Sequence, residues 1–309
     1  MKKFFLFIIC LGLLHVLKAQ TENALLWRIT HPESADTSYL YGSMHTTDQR
    51  AFFLIDTVEQ LIGQCEVVAG EIEQDFDMTD ILSFANLMVM QDSSLVDFYT
   101  EAQYELVQEK LQNHFGPQAF ALERIKPIYL SLMIGELAVM EPTNADSSEV
   151  NNNQQINDFL NEILDGHIQS YGKSLGLEVV GLESPEEVFT NLDRIPLKEQ
   201  AKMLFEELMK QELSSGSENQ EMETLMELYC NQDLEGMSQL VSSSKMDQEL
   251  EYLLIDMRNE YFTTRFIDLM VDRPTFCTVG AMHLIGETGM IQELQNNGYT
   301  VEPLSHERK

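Results

Sequence analysis

The sequence predicts an α/β fold, and three observations carry that prediction. Two β-prone runs, Tyr39-Leu40-Tyr41-Gly42-Ser43-Met44-His45 and Phe276-Cys277-Thr278-Val279-Gly280-Ala281-Met282-His283, lie near opposite ends of the chain and both end in Gly-x-Met-His. Each is followed by a segment of helical character and then by another β-prone run. Between them, from about 77 to 270, helical character dominates. A histidine just past a strand end is where α/β folds place chemistry. The echo therefore predicts one composite site assembled from distant segments.

Taken in order, Leu25–Thr30 and Ser38–Tyr41 read as a hairpin across a turn-rich stretch, His31-Pro32-Glu33-Ser34-Ala35-Asp36. Phe53–Gln64 carries Leu54, Val58, Leu61 and Ile62 at helical spacing, and Glu66–Glu73 returns to strand character. In the helical middle, Glu101–Phe115 shows Tyr104, Val107, Leu111 and Phe115 on one stripe. Ala119–Met140 reads as a longer apolar helix interrupted by Pro127. Residues 142–155 are polar and turn-rich and read as a mobile loop, and 214–219 form another polar break. Asp165–Leu182 runs from a helix into a short strand, Glu178-Val179-Val180-Gly181. Met246–Met270 is helical, with Leu250, Leu253, Leu254, Met257 and Tyr261 at regular spacing. The end of the chain repeats the first unit. Thr275–Val279 is a strand, Gly280–His283 a turn, Gly289–Gln295 a helix stopped at Gly298, and Tyr299–Leu304 a final strand. Strand–helix–strand units favour parallel strand directions, and two copies suggest a pseudo-twofold arrangement.

The N-terminus has the layout of a secretory signal over residues 1–20: Lys2-Lys3, an apolar run from Phe4 to about Leu17, and small Ala19. The run is shorter than the roughly 20 apolar residues a bilayer span needs. The expectation is an exported protein, periplasmic or secreted, with residues 21–309 forming one domain. The chain has 19 basic and 51 acidic residues, a net charge of −32, which repels nucleic acid and anionic membrane. Beyond the signal, Cys65, Cys230 and Cys277 are too few and too odd in number for a disulfide framework; Cys65 and Cys277 could pair if their strands are neighbours, but buried free thiols are the leading reading.

Several residue types in this pattern could carry chemistry. His45 and His283 follow strands, with a glycine three residues before each to permit a tight turn. Neutral imidazole binds transition metals and moves protons near neutral pH. Glu71 and Glu73 end the strand that follows the first histidine helix, and either could complete a His/His/carboxylate set as ligand or general base. Alternation puts Ala69, Glu71 and Glu73 on one strand face. Asp165 and Glu183 flank the central helix–strand unit, and Arg258 could clamp a carboxylate of substrate or site. There is no Gly-x-Ser-x-Gly elbow, His-Glu-x-x-His helix, Gly-x-x-x-x-Gly-Lys loop or Gly-x-Gly-x-x-Gly turn, which disfavours serine hydrolases of the elbow type, zincins and nucleotide enzymes.

The ordered set of motifs resembles the TraB/GumN (PrgY, Tiki-like) family. The matching segments are Leu40-Tyr41-Gly42-Ser43-Met44-His45, Val67-Val68-Ala69-Gly70-Glu71, Ile125-Lys126-Pro127 with Tyr129, Asp165, Gly172-Lys173 and Gly181-Leu182-Glu183-Ser184. Arg258-Asn259, Val279–Gly289 and Gly298-Tyr299-Thr300-Val301 complete it, so the resemblance covers nearly all of the chain past residue 20. It implies a central mixed sheet surrounded by helices, like that of erythromycin esterases and haem-binding ChaN-like proteins. It also implies a cleft formed by both Gly-x-x-His ends. Tiki-like members are metal-dependent peptidases, and their proposed metal and catalytic residues map onto His45, His283 and Glu71.

The leading expectation is an exported metal-dependent hydrolase acting on peptide or protein substrates. A divalent manganese, cobalt or zinc ion would be held by His45, His283 and Glu71, with Asp165 a further candidate ligand. Glu183 and Arg258 join the catalytic set, and Asp165, Glu183 and Arg258 would orient ligands or bind a substrate terminus. The alternatives are a non-catalytic peptide-binding protein using the same cleft, and metal-free ester hydrolysis with histidine as general base.

Overall fold

A computed structural model describes residues 23–33, 36–74, 78–139, 161–213, 218–243 and 251–304. The signal segment at 1–20, the polar loop at 142–155 and most of the polar break at 214–219 lie outside the described residues.

Six strands form one mixed sheet: β1 Leu26–Thr30, β2 Thr37–Ser43, β3 Val67–Gly70, β4 Glu178–Gly181, β5 Thr275–Gly280 and β6 Thr300–Pro303, in the order β4-β3-β5-β2-β1-β6. β1 and β2 form the expected antiparallel hairpin, with Trp27 opposite Leu40. β2 and β3 each lie parallel to β5, and β4 lies parallel to β3. β6 closes the far edge antiparallel to β1 and so points the same way as β5. The strand directions within both repeated units are therefore parallel. The units are not equivalent within the sheet, however. β5 separates β2 from β3, whereas both β2 and β1 separate β5 from β6.

The helices are α1 Ile55–Ile62, α2 Met78–Met88, α3 Glu101–Phe115, α4 Pro127–Val139, α5 Leu164–Ser174, α6 Pro185–Leu192, α7 Leu197–Leu213, α8 Glu218–Cys230, α9 Leu234–Ser243, α10 Met257–Met270 and α11 Met290–Asn296. Proline starts α4 rather than interrupting it. The preceding residues form a 3₁₀ segment, Gly116–Leu122, because the first helical turn tolerates a missing N–H and the interior does not. Of the Met246–Met270 helix, residues 246–250 lie outside the described residues; in the rest a π-helical turn, Tyr252–Asp256, precedes α10. Gly298, at φ 89°, ends α11 in the left-handed conformation expected of it.

The main core wraps the sheet. Leu26, Ile29, Leu40, Tyr41, Val68, Phe276 and Val279 from the strands meet Val58 and Ile62 of α1, Ile168 of α5, and Phe262 and Phe266 of α10. Full burial of Leu40 alone stabilises the sheet by roughly 2 kcal/mol. The middle helices bury two smaller cores, one around Leu95, Val107, Leu111 and Leu204, the other around Ile128, Tyr129, Phe189 and Met257. Buried Tyr229 ties α8 to β2: its hydroxyl donates to Gly42 O at 3.0 Å and lies 2.9 Å from the hydroxyl of Tyr41. Cys65 and Cys277 are buried free thiols, as expected.

Candidate functional site

The four parallel strands deliver their C-terminal ends to one edge of the sheet. Ser43 pairs with Gly280 and Gly70 with Gly181, so β2, β5, β3 and β4 finish side by side. Just beyond them lie His45, His283, Glu71 and Glu183. In open α/β sheets this edge is the usual place for a ligand.

The two motif glycines make room rather than turns. Neither has a positive φ. Gly42 lies inside β2, where a Cβ would stand 2.6 Å from Leu284 Cδ1 and 3.0 Å from Ala281 Cα. The 3₁₀ turn that carries His283, Ala281–Leu284, packs directly onto it. At Gly280 a Cβ would come within 3.3 Å of Glu71 Oε1. The glycines thus let one motif sit on the other, and let Glu71 approach the second.

His283 is buried, with only 4% of its side chain exposed. Its Nδ1 lies 2.7 Å from Asn259 Oδ1, an acceptor, which makes Nδ1 the donor and turns the lone pair of Nε2 toward Glu71 Oε1 at 3.6 Å. Burial lowers its pKa to about 4, with Glu71 opposing, so the ring is neutral at pH 7. His45 differs: 59% of its side chain is exposed. Its Nδ1 lies 2.6 Å from Asp165 Oδ2, and its Nε2 faces the same Glu71 Oε1 at 3.9 Å. The other Asp165 oxygen accepts from Ser43 Oγ. Both Asp165 oxygens are thus engaged behind the imidazole. In this arrangement Asp165 orients His45.

Glu71 sits at the centre, one residue past β3 rather than within a longer strand, so the alternation expected through Glu73 does not apply. Its Oε1 accepts from Gly280 N–H at 2.7 Å and its Oε2 from Arg258 Nη2 at 2.6 Å. Burial alone would raise its pKa. The charges of His283, Arg258 and His45 and the Gly280 N–H outweigh that, holding Glu71 well below the usual carboxylate range. At pH 7, with His283 neutral, Arg258 and the backbone donor carry more of this effect. Glu73 stands apart, about half exposed and 3.6 Å from Lys173 Nζ.

Arg258 donates from Nε to Glu183 Oε1 at 2.6 Å, from Nη2 to both glutamates, and from Nη1 to Leu254 O at 3.2 Å in the π-helical turn. Its guanidinium lies over Phe262, whose ring packs 5.1 Å from that of His283. Burial lowers the pKa of Arg258, but Glu71 and Glu183 outweigh it and raise the net value. Burial raises the pKa of Glu183, with Arg258 opposing. Arg258 is therefore committed to the protein's own carboxylates, which favours the orienting role over capture of a substrate terminus.

In the sequence Asn259 stands out only within the family resemblance and without a role, and Phe262 and Gln169 do not stand out. The buried Gln169 holds the segment after Glu71 by bonds to Ile72 O and Gln74 N, at 3.0 and 2.9 Å. A signal existed for Asn259. It shares a face of α10 with Phe262, Thr263 and Phe266 at i+3, i+4 and i+7, and a polar residue on such an apolar stripe needs a partner.

Among the described residues, no group of three or more His, Cys, Asp or Glu side chains forms a metal-binding cluster. The donor types at the edge nonetheless fit a divalent transition ion. Two imidazole Nε2 atoms face one carboxylate oxygen, and both Nδ1 atoms are anchored. Ligands on one such ion lie about 3–3.5 Å apart. The observed 3.6 and 3.9 Å leave the set slightly open, chiefly on the exposed His45 side.

Among the described residues, no helix is long and apolar enough to cross a membrane. No curated protein and no solved structure matches the chain. The model of the TraB/PrgY/gumN family matches residues 25–303, which include every strand and all the residues at this edge. By that match over nearly its whole length, the chain belongs to the TraB/PrgY/gumN family.

Proposed function

We propose that this protein is an exported, metal-dependent hydrolase acting on peptides, with His45, His283 and Glu71 as the reacting centre. The observation that carries the proposal is the convergence of two imidazole Nε2 atoms on one Glu71 oxygen, each imidazole fixed from behind. The export part rests on the signal-like residues 1–20. A divalent ion held by these three side chains would supply Lewis acidity and an activated water. The protein's own contribution is orientation. Asp165 and Asn259 set the direction of the two rings, and Arg258 and the Gly280 N–H keep Glu71 anionic. A carboxylate held that far below its usual range is a weak base, so Glu71 serves better as a ligand than as a proton acceptor.

One observation favours a second reading, metal-free hydrolysis. The Asp165–His45 pair is the oriented imidazole that a general base requires, and it is the exposed half of the site.

The test is chelator-stripped mature protein loaded with manganese, cobalt or zinc, with metal content and peptide-library cleavage measured for wild type, His45→Ala and His283→Ala. Metal uptake and metal-dependent cleavage, both lost in His283→Ala, are the expected results. Absence of uptake and cleavage with all three metals overturns the proposal. Cleavage that survives chelation and fails only in His45→Ala selects the second reading. Peptide binding without cleavage identifies a binding protein.

A further inference from the structure

A cavity of about 460 Å³ lies between the chain that follows His45 and the chain that enters α5. One wall is the segment after His45, with Thr47, Phe52, Ile55 and Glu59. The other is the start of α5 and the residues before it, with Glu162 and His167. Leu164 N–H donates to Thr46 O at 3.1 Å and joins the two walls. His45 and Asp165 do not line the cavity themselves, but each stands two residues from a lining residue, Thr47 and His167.

Among the described residues, the lining combines an apolar side with two carboxylates and contains no lysine or arginine. Phe52 and Ile55 give the apolar surface. Glu59 is positioned by His167, whose Nε2 lies 2.9 Å from Oε1, and the His167 ring packs edge-on to Phe52 at 5.9 Å. Glu162 is exposed at the rim. An apolar stem followed by a cationic head matches this order of surfaces. The aliphatic chain would lie on Phe52 and Ile55, and the charge would reach Glu59 and Glu162. The volume is near the lower end of ligand pockets, about 300–1,000 Å³, which suits one long side chain rather than a folded partner.

We infer that this cavity is a specificity subsite for a lysine or arginine side chain of a peptide bound across the His45–His283 edge. The inference rests on the peptide reading of the site and names the residue class that reading leaves open. The overall charge of −32 attracts any cationic peptide, so the subsite has to be separated from that general field.

The experiment uses N-acetylated fluorescent octapeptide pools in which one position at a time is lysine, arginine, norleucine or glutamate. Binding is read by anisotropy and cleavage by mass spectrometry. The proteins are full mature wild type, Glu162→Lys, Glu59→Gln, His283→Ala and Glu105→Lys. Glu105 is exposed on α3 and absent from the cavity lining, so Glu105→Lys and Glu162→Lys change net charge equally. At one position, lysine and arginine pools should bind roughly fivefold more tightly than norleucine, the scale of one partly exposed ion pair. That preference should vanish in Glu162→Lys, shrink in Glu59→Gln and persist in Glu105→Lys. Equal loss in Glu105→Lys and Glu162→Lys, or no preference at any position, overturns the inference. A cavity-dependent preference without cleavage keeps the subsite and removes the hydrolase. Cleavage without preference does the reverse.

Discussion

His45 and His283 end the same four-residue motif on adjacent parallel strands, yet they occupy opposite environments. The first is largely exposed and backed by a carboxylate, whereas the second is nearly sealed and backed by a neutral amide. The difference arises downstream. After His45 the chain enters open loop structure before the 3₁₀ turn at Gln49–Phe52. After Gly280 it turns at once into the 3₁₀ segment packed on Gly42, with Phe262 of α10 against the imidazole. A repeated motif thus supplies two imidazoles of different capability. His283 presents a buried imidazole and His45 an exposed one.

The largest test of this contrast is Arg258→Met. The buried half is held by one guanidinium between Glu71 and Glu183, and its removal leaves two largely buried carboxylates facing each other. We expect about 3–5 kcal/mol lost from unfolding free energy, measured by urea titration of the chelator-treated mature chain. A loss below about 1 kcal/mol, the scale of exposed pairs, breaks the claim that this cluster supports the His283 half.

Acid titration separates the halves next. The folded pKa of His283 is lowered to about 4, below its unfolded value, so its contribution is fully present above pH 6.5 and is lost as pH falls toward 4. Glu71 is also lowered, so its share is lost below about pH 4.5, in the same direction. Chelator-treated wild type should lose roughly 3 kcal/mol through the His283 window, at no more than about 1.4 kcal/mol per pH unit. His283→Gln should flatten the curve between pH 6.5 and 4. An unchanged slope in that variant would show that His283 does not stay neutral in the fold.

Much of this was legible in the sequence because strands and their exits are local signals. Alternation, glycine and β-branching placed β1 to β6 within a few residues, and the histidines, Glu71 and Glu183 were recognised by standing just past them. What failed depended on neighbours far along the chain. The space requirement at Gly42 comes from Leu284. The partner of His283 sits on α10, 24 residues upstream. Spacing within one segment does not report on such contacts. The strand order was equally hidden, since nothing local says that β5 inserts between β2 and β3.

The smallest effect, and the finest test, compares the two anchoring groups. Asn259→Leu keeps the side-chain size but leaves the Nδ1–H of His283 without its acceptor in a sealed site. The cost is that of an unsatisfied buried donor, about 1–3 kcal/mol. The new leucine also removes Asn259 Nδ2, a buried donor with no partner of its own, which offsets part of that cost. Asp165→Asn preserves an acceptor for His45 Nδ1, and solvent reaches that ring, so its cost should stay below about 1 kcal/mol. Activity should respond in the other order if His45 is the general base, because an amide stabilises the imidazolium less than a carboxylate does. If His45 and His283 share one ion, both substitutions should instead weaken metal affinity, by about 10–100-fold each. Measuring unfolding free energy and metal affinity on the same two variants therefore separates stability from chemistry. It also decides whether the exposed imidazole works with the buried one or alone.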